Sequence, residues 1–328
     1  MIRVENLHKH FKVRKHYEGR LSALRNALTR EARTVKAVDN VSFRVARGEL
    51  VGYLGPNGAG KSTTLKMLTG LLVPTGGTLE VAGYVPWRER RRYVARVGAV
   101  FGQRTTLWWD LPVRESLALL EHIYRVPAPR FKENLKTFTE LLELTPFLDT
   151  PVRALSLGQR MRADLCAALL HDPDLLFLDE PTIGLDVVAK ERIRAFIRHV
   201  SAVRETTVML TTHDLTDVQK LCERVLMIDG GRLLFDGELA TLQARFGGQR
   251  QLSVTFAEAH TEASVAGAEV LEHAGNRAVY AFNRHELSAA ELIRRLSERF
   301  VLEDLSLQEP DIEVTVREIY EKRLLEDA

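Results

Sequence analysis

One stretch of nine residues constrains this chain more than any other: Gly55-Pro-Asn-Gly-Ala-Gly-Lys-Ser-Thr63. It carries the pattern G-x-x-x-x-G-K-[ST], with Gly55, Gly60, Lys61 and Ser62 in the fixed positions and Pro56, Asn57, Gly58 and Ala59 between them. Its setting agrees. Leu50-Val-Gly-Tyr-Leu54 reads as a buried strand, and Thr64-Leu-Lys-Met-Leu-Thr69 as the opening of a helix. Glycines let a backbone turn its N–H groups onto phosphate oxygens, and the helix start adds its positive dipole end. In such a loop the lysine reaches the β- and γ-phosphates and the serine hydroxyl ligates Mg²⁺. The stretch reads as a nucleoside triphosphate site, which Thr63 completes.

The rest of the composition bounds the kind of protein. A chain of 328 residues is long for one core, so one large domain and one smaller one are expected. The formal net charge of +2 is too small to imply nucleic acid. Cys166 and Cys222 are the two cysteines, far apart and without metal spacing, which fits ordinary thiols in a reducing compartment. The start, Met1-Ile-Arg-Val-Glu-Asn6, lacks a basic-then-apolar signal pattern. No uncharged apolar run approaches the roughly 18 residues that span a bilayer. Any membrane role is expected to come through a partner.

Along the chain, strand patterns alternate with helical ones. Ile2-Arg-Val-Glu5 opens a strand, and a basic stretch follows at about residues 12–36. There Leu21, Leu24 and Leu28 recur at helical spacing, so an amphipathic helix and a solvated charged loop are both open readings. Val41–Val45, Thr78–Val81, Val97–Phe101, Leu175–Asp179 and Thr207–Thr211 read as further strands. The segment at about 104–170 is mostly helical, and Val187–Val203 is another helix. This alternation implies an α/β fold with a parallel sheet and its ligand at the C-terminal strand ends. Gln103, Asp179, Glu180 and His213 all fall at such ends.

Together these sites resemble the ATP-binding subunits of ABC transporters, over about residues 1–245. Gly55–Thr63 resembles the Walker A loop, and Gln103 the Q-loop glutamine that touches Mg²⁺ and senses the membrane subunit. Leu155-Ser-Leu-Gly-Gln159 resembles the signature LSGGQ. Leu175–Asp179 resembles Walker B, Glu180 the catalytic carboxylate, Ile183-Gly-Leu-Asp186 the D-loop, and His213 the switch histidine. The resemblance implies a P-loop NTPase that binds ATP with Mg²⁺ and hydrolyses it. Ser62, Gln103 and Asp179 would hold the metal. Ser156, Gly158, Gln159 and Asp186 would meet the nucleotide held by a second copy of the chain.

The chemistry of the residues agrees with those roles. Asp179 at a strand end can hold Mg²⁺, and Glu180, one residue on, would point to the other face and activate water. Ser156 and Gly158 begin a helix and offer a hydroxyl and N–H groups to an anion. Two departures stand out. Leu157 replaces the family's middle glycine. Phe11, which by its Leu-x-Lys-x-aromatic context matches the adenine-stacking aromatic, lies far upstream of the phosphate loop, with Tyr17 as the other candidate.

The segment 246–328 reads as a small α+β accessory domain, acid-leaning with sixteen Asp or Glu against nine Lys or Arg from Gly248 onward. Strands are expected at Gln251–Phe256, Ala278–Phe282 and Leu302–Leu307, and helices at Ala289–Phe300 and Asp311–Leu325. Leu305-Ser-Leu-Gln-Glu-Pro-Asp-Ile-Glu313 resembles the C-terminal extension of exporter-type subunits, a stabilising or dimerising appendage. Phe101–Pro112, with adjacent Trp108 and Trp109, resembles a drug- or viologen-export subgroup. At least one of the two tryptophans is expected to pack on a membrane subunit or on the chain's own helical part.

These expectations describe an ATPase subunit, peripheral on the cytoplasmic face of the membrane. It would power export through integral membrane permeases by closing on a second copy of itself or on a homologous ATPase subunit. A soluble ABC ATPase of translation or DNA repair is the alternative. Such proteins carry two tandem domains or a long coiled coil, and this chain has one phosphate loop and no heptad run.

Overall fold

Alternating apolar residues at the chain start build the first layer. Ile2, Val4 and Leu7 are buried on one side of β1 (Ile2–Arg14). β1 pairs antiparallel with β2 (Ala32–Val45) and with β4 (Gly76–Val81) in the order β2-β1-β4. The computed structural model describes residues 1–14, 32–102, 104–246, 249–260, 262–283 and 286–308, with Val316, Ile319 and Tyr320.

The extent of β1 and β2 revises the expected insertion at 12–36. Lys12 pairs with Thr34 and His10 with Lys36, so both ends of the basic stretch belong to the ladder. Phe11, Val13, Thr34 and Val35 favour extended backbone, which continues the pairing beyond the buried part. Residues 15–31, where the amphipathic helix or loop was expected, lie outside the described residues.

The second layer is a six-stranded sheet in the order β5-β6-β7-β3-β8-β9. Its members are β3 (Leu50–Leu54), β5 (Val97–Phe101), β6 (Leu175–Asp179), β7 (Thr207–Thr212), β8 (Arg224–Asp229) and β9 (Arg232–Glu238). The ladders joining β5, β6, β7, β3 and β8 are parallel. Their near-continuous apolar sequences follow from burial on both faces. Helix α1 (Lys61–Leu68) packs between the layers. There Leu65 and Met67 join Val4, Leu7 and Phe43 of the first sheet and Tyr53, Phe177 and Met209 of the second in one core.

After α2 (Arg90–Val94), whose arginines face solvent, come α3 (Val113–Tyr124), α4 (Ala128–Leu141) and α5 (Leu157–Leu169). These make the helical segment read from the sequence. α6 (Val187–Arg204) and α7 (Leu215–Leu221) complete the elements around the parallel sheet.

The chain divides into compact units at Met1–Asp236 and Gly237–Ala328. Helix α8 (Leu239–Phe246) falls in the second unit, whereas the sequence reading began the accessory domain at residue 246. That unit holds an antiparallel sheet in the order β11-β12-β10-β13. Its strands are β10 (Gln249–Phe256), β11 (Glu269–Ala274), β12 (Arg277–Asn283) and β13 (Leu302–Gln308). β11 was not foreseen, because Glu269-Val-Leu-Glu-His-Ala274 has no clean apolar alternation. Helix α9 (Ala289–Ser297), capped by Ser288, buries Leu292 and Leu296 against Leu252, Val254 and Tyr280. Most of the expected terminal helix lies outside the described residues. No helix among the described residues is long and apolar enough to cross a membrane.

Candidate functional site

The phosphate-loop motif leaves β3 and enters α1 as expected, and its geometry explains its glycines. Gly60 caps α1 at φ 110°, and a Cβ there would lie 2.5 Å from the Ala37 carbonyl oxygen. Both the left-handed backbone and the close approach demand glycine. Pro56, Asn57, Gly58 and Ser62 are exposed, Thr63 is half-buried, and Ala59 and Gly55 are buried. The Lys61 ammonium folds back onto its own loop, donating to Gly55 O at 2.6 Å and Pro56 O at 3.1 Å. Burial lowers its pKa, while the nearby Glu180 and Asp179 carboxylates act in the opposite sense.

Asp179 ends β6 directly beside Thr211 of β7. Its Oδ1 accepts from Thr211 Oγ1 at 2.5 Å and from Ser62 Oγ at 3.4 Å. Thr211 was passed over in the sequence, where only its burial at a strand end could have marked it. Glu180 corrects one expectation. It does not continue the strand's alternation but sits at φ 52°, in the left-handed region. Its N–H donates to Thr211 O at 2.9 Å, and its Oε1 lies 3.1 Å from His213 Nδ1. A non-glycine residue held there is strained backbone, of the kind that clusters at active sites.

A second network braces this corner from behind. Asp217 of α7 is fully buried, accepts from Arg194 Nε at 2.7 Å, and takes the Thr182 hydroxyl as well. It thereby fixes both the loop after Glu180 and the helix after His213. Ser62, Gly102, Arg104, Asp179, Glu180 and Ile183 line one cavity of about 340 Å³. Arg104 had no role in the sequence reading. Gln103 lies outside the described residues.

The other predicted residues stand apart from this cavity's lining. Ser156 caps α5: its Oγ accepts from Gln159 N at 3.2 Å, while Gln159 Oε1 accepts from Ser156 N at 2.9 Å. The Ser156 N–H and the Gln159 amide are therefore engaged within the helix end. Leu157 packs on the D-loop resemblance: a Cβ at Gly184 would come 3.1 Å from its Cδ2. Asp186 caps α6 by accepting from Ala189 N at 2.8 Å. Asp164 of α5 is buried and accepts from Thr105 Oγ1, Thr106 N and Thr106 Oγ1, tying the segment after Gln103 to that helix. Burial raises its pKa against those bonds. Phe11 is partly exposed on β1 opposite Val35, with Lys9 Nζ 5.2 Å from its ring. Trp108 and Trp109 are both exposed, and Arg160 stands 5.5 Å over the Trp109 ring.

Residues 38–183 match the family model described as ABC transporter. The chain is 38% identical over 224 residues to daunorubicin resistance ATP-binding protein DrrA3 of Streptomyces coeruleorubidus, covering 68% of this chain and 70% of that protein. It is 31% identical over 287 residues to linearmycin resistance ATP-binding protein LnrL of Bacillus subtilis, covering 84% and 91%. Among solved structures it resembles a dimeric ATP-binding cassette in a post-hydrolysis state with ADP and Pi. That match has a TM-score of 0.61 and 24% identity, covering 73% of this chain and 99% of that one. By the family model and these relatives, the chain belongs to the ABC transporter ATP-binding proteins.

Proposed function

We propose that two copies of this chain close on ATP and drive export of a small molecule through separate membrane subunits, from a peripheral position on the inner face of the membrane. One observation carries the hydrolytic half of the reading: Glu180, in strained backbone, meets His213 beside Asp179 and Ser62. The export half is supported by the resistance proteins among the relatives.

In this reading the loop amides and Lys61 bind the β- and γ-phosphates, Lys61 exchanging the Gly55 and Pro56 carbonyls for phosphate oxygens. Ser62 and Asp179 form an all-oxygen donor set that suits Mg²⁺, with Gln103 as a further ligand. Bound there, the ion would neutralise charge across the β–γ bridge. Glu180 takes a proton from the attacking water as its oxygen bonds to the γ-phosphorus. The bridging bond breaks, and ADP leaves with the electron pair. His213 fixes the orientation of the Glu180 carboxylate. Phe11 stacks on the adenine. Ser156, Gly158, Gln159 and Asp186 of one copy complete the site of the other.

Glu180→Gln tests this directly. It keeps the shape and removes the base, so turnover should fall by roughly 10²–10⁴ while ATP binding survives. The variant should run as a dimer on size exclusion with Mg-ATP and as a monomer with ADP. Parental turnover would defeat the assignment of the base, and a monomer at saturating ATP would defeat closure of two copies on ATP.

A further inference from the structure

His8 and His10 lie two residues apart on β1, so strand geometry puts them on one side, and bulged register around Lys9 brings them toward β2. Their ring centroids are 5.8 Å apart. Asp39 of β2 reaches between them: its Oδ1 lies 3.6 Å from His8 Nδ1 and 3.7 Å from His10 Nε2. One ligand atom from each of the three residues falls within 4.8 Å of the others. None of the three residues was given a role in nucleotide binding above, although His10 adjoins Phe11 on β1.

We propose that His8, His10 and Asp39 form a binding site for a divalent transition ion of the zinc class. Four features of the triad carry this. Imidazole nitrogens with one carboxylate suit zinc and its neighbours and are unsuited to Mg²⁺ or Ca²⁺, which prefer oxygen alone. An ion at about 2.0–2.2 Å from its ligands holds them roughly 3.3 Å apart, so the two histidine–Asp39 spacings need to close by only a few tenths of an ångström, and all three ligand atoms already lie within 4.8 Å of one another. Among the described residues, the buried His10 Nε2 has no hydrogen-bond partner. Finally, Asp39 has an outer shell. Lys36 Nζ at 3.1 Å and Arg232 at 3.2 Å both bind Oδ2, orienting the carboxylate and leaving Oδ1 to the histidines.

The same contacts set a limit on affinity. His8 Nδ1 also accepts the Asn40 N–H at 3.1 Å, so an ion there displaces one bond. Lys36 and Arg232 add positive charge, although both side chains are more than half exposed and can turn their heads into water. Micromolar rather than nanomolar binding follows. The site also backs onto the phosphate loop, because Asp39 N donates to Gly231 O at 2.8 Å and Gly231 N to Ala59 O at 3.0 Å.

The test is calorimetric titration of Zn²⁺ into the full chain, stripped with chelator and free of nucleotide, with Co²⁺ absorption as a second probe. One equivalent should bind in the micromolar range, with His10→Gln and Asp39→Asn each weakening it at least about tenfold. His10→Gln removes only a partly exposed side chain, so it separates ligand loss from misfolding, which circular dichroism checks. No stoichiometric binding, or binding untouched by either substitution, would overturn the site. Because no nucleotide is present, that failure would leave the ATPase reading standing.

Discussion

His213 Nδ1 stands 3.1 Å from Glu180 Oε1, joining the ends of two adjacent parallel strands through their side chains. The pair places a carboxylate beside Asp179 and Ser62 and gives it one defined orientation. His213→Ala removes that orientation but no phosphate ligand of the loop. Turnover should drop at least about tenfold with little change in ATP affinity. Single-turnover hydrolysis alongside a nucleotide titration checks this. Equal losses in both would place His213 in binding instead.

In the proposed mechanism Lys61 exchanges its two carbonyl partners for phosphate. Lys61→Ala removes the loop's one buried cation, and a charge-assisted bond of about 1.5–3 kcal/mol corresponds to roughly a 10- to 100-fold loss of ATP affinity. The fold should persist, since among the described residues the Lys61 side chain bonds to loop carbonyls alone. Fluorescent-nucleotide titration reads the affinity. Unchanged binding would contradict the role given to the loop.

The Arg194–Asp217 pair behind the site is almost wholly buried, with side chains 5% and 0% exposed. Arg194→Met leaves the Asp217 charge uncompensated and should cost about 3–5 kcal/mol in urea unfolding. Adding Asp217→Leu should restore part of that loss, because it removes the stranded charge. A cost for the single variant near that of a surface pair, about 1 kcal/mol or less, would show that water reaches Asp217.

His171 predicts a pH dependence of stability. Its ring stacks on Tyr124 at 3.9 Å, and burial pushes its pKa from the ordinary 6.5 down to about 4. The folded state therefore holds the neutral ring, and the unfolded chain takes up a proton first as pH falls. This contribution is complete above pH 6.5 and is lost between there and pH 4, by about 3 kcal/mol. His171→Phe keeps the stack and removes the proton site. Urea midpoints at pH 7 and 4.5 should differ less for this variant than for the parent, and an equal difference would assign the effect to another group.

The chain's local chemistry alone determined the phosphate loop, the parallel α/β class and the candidate acids. Gly55, Gly60, Lys61 and Ser62 act within one turn of backbone. The apolar runs of β3, β6 and β7 announce burial without reference to any distant residue. Leu157 stands in place of the family's middle glycine, and its neighbour Gly184, 27 positions away, leaves room for it. Tertiary structure alone decided the partners. Nothing within a few residues of Asp179 marks Thr211, and nothing near Asp39 marks His8 and His10. Whether a carboxylate is oriented, braced or shared depends on which strand ends the fold sets side by side. That pairing is a long-range choice made by core packing, so a linear pattern of residues does not encode it locally.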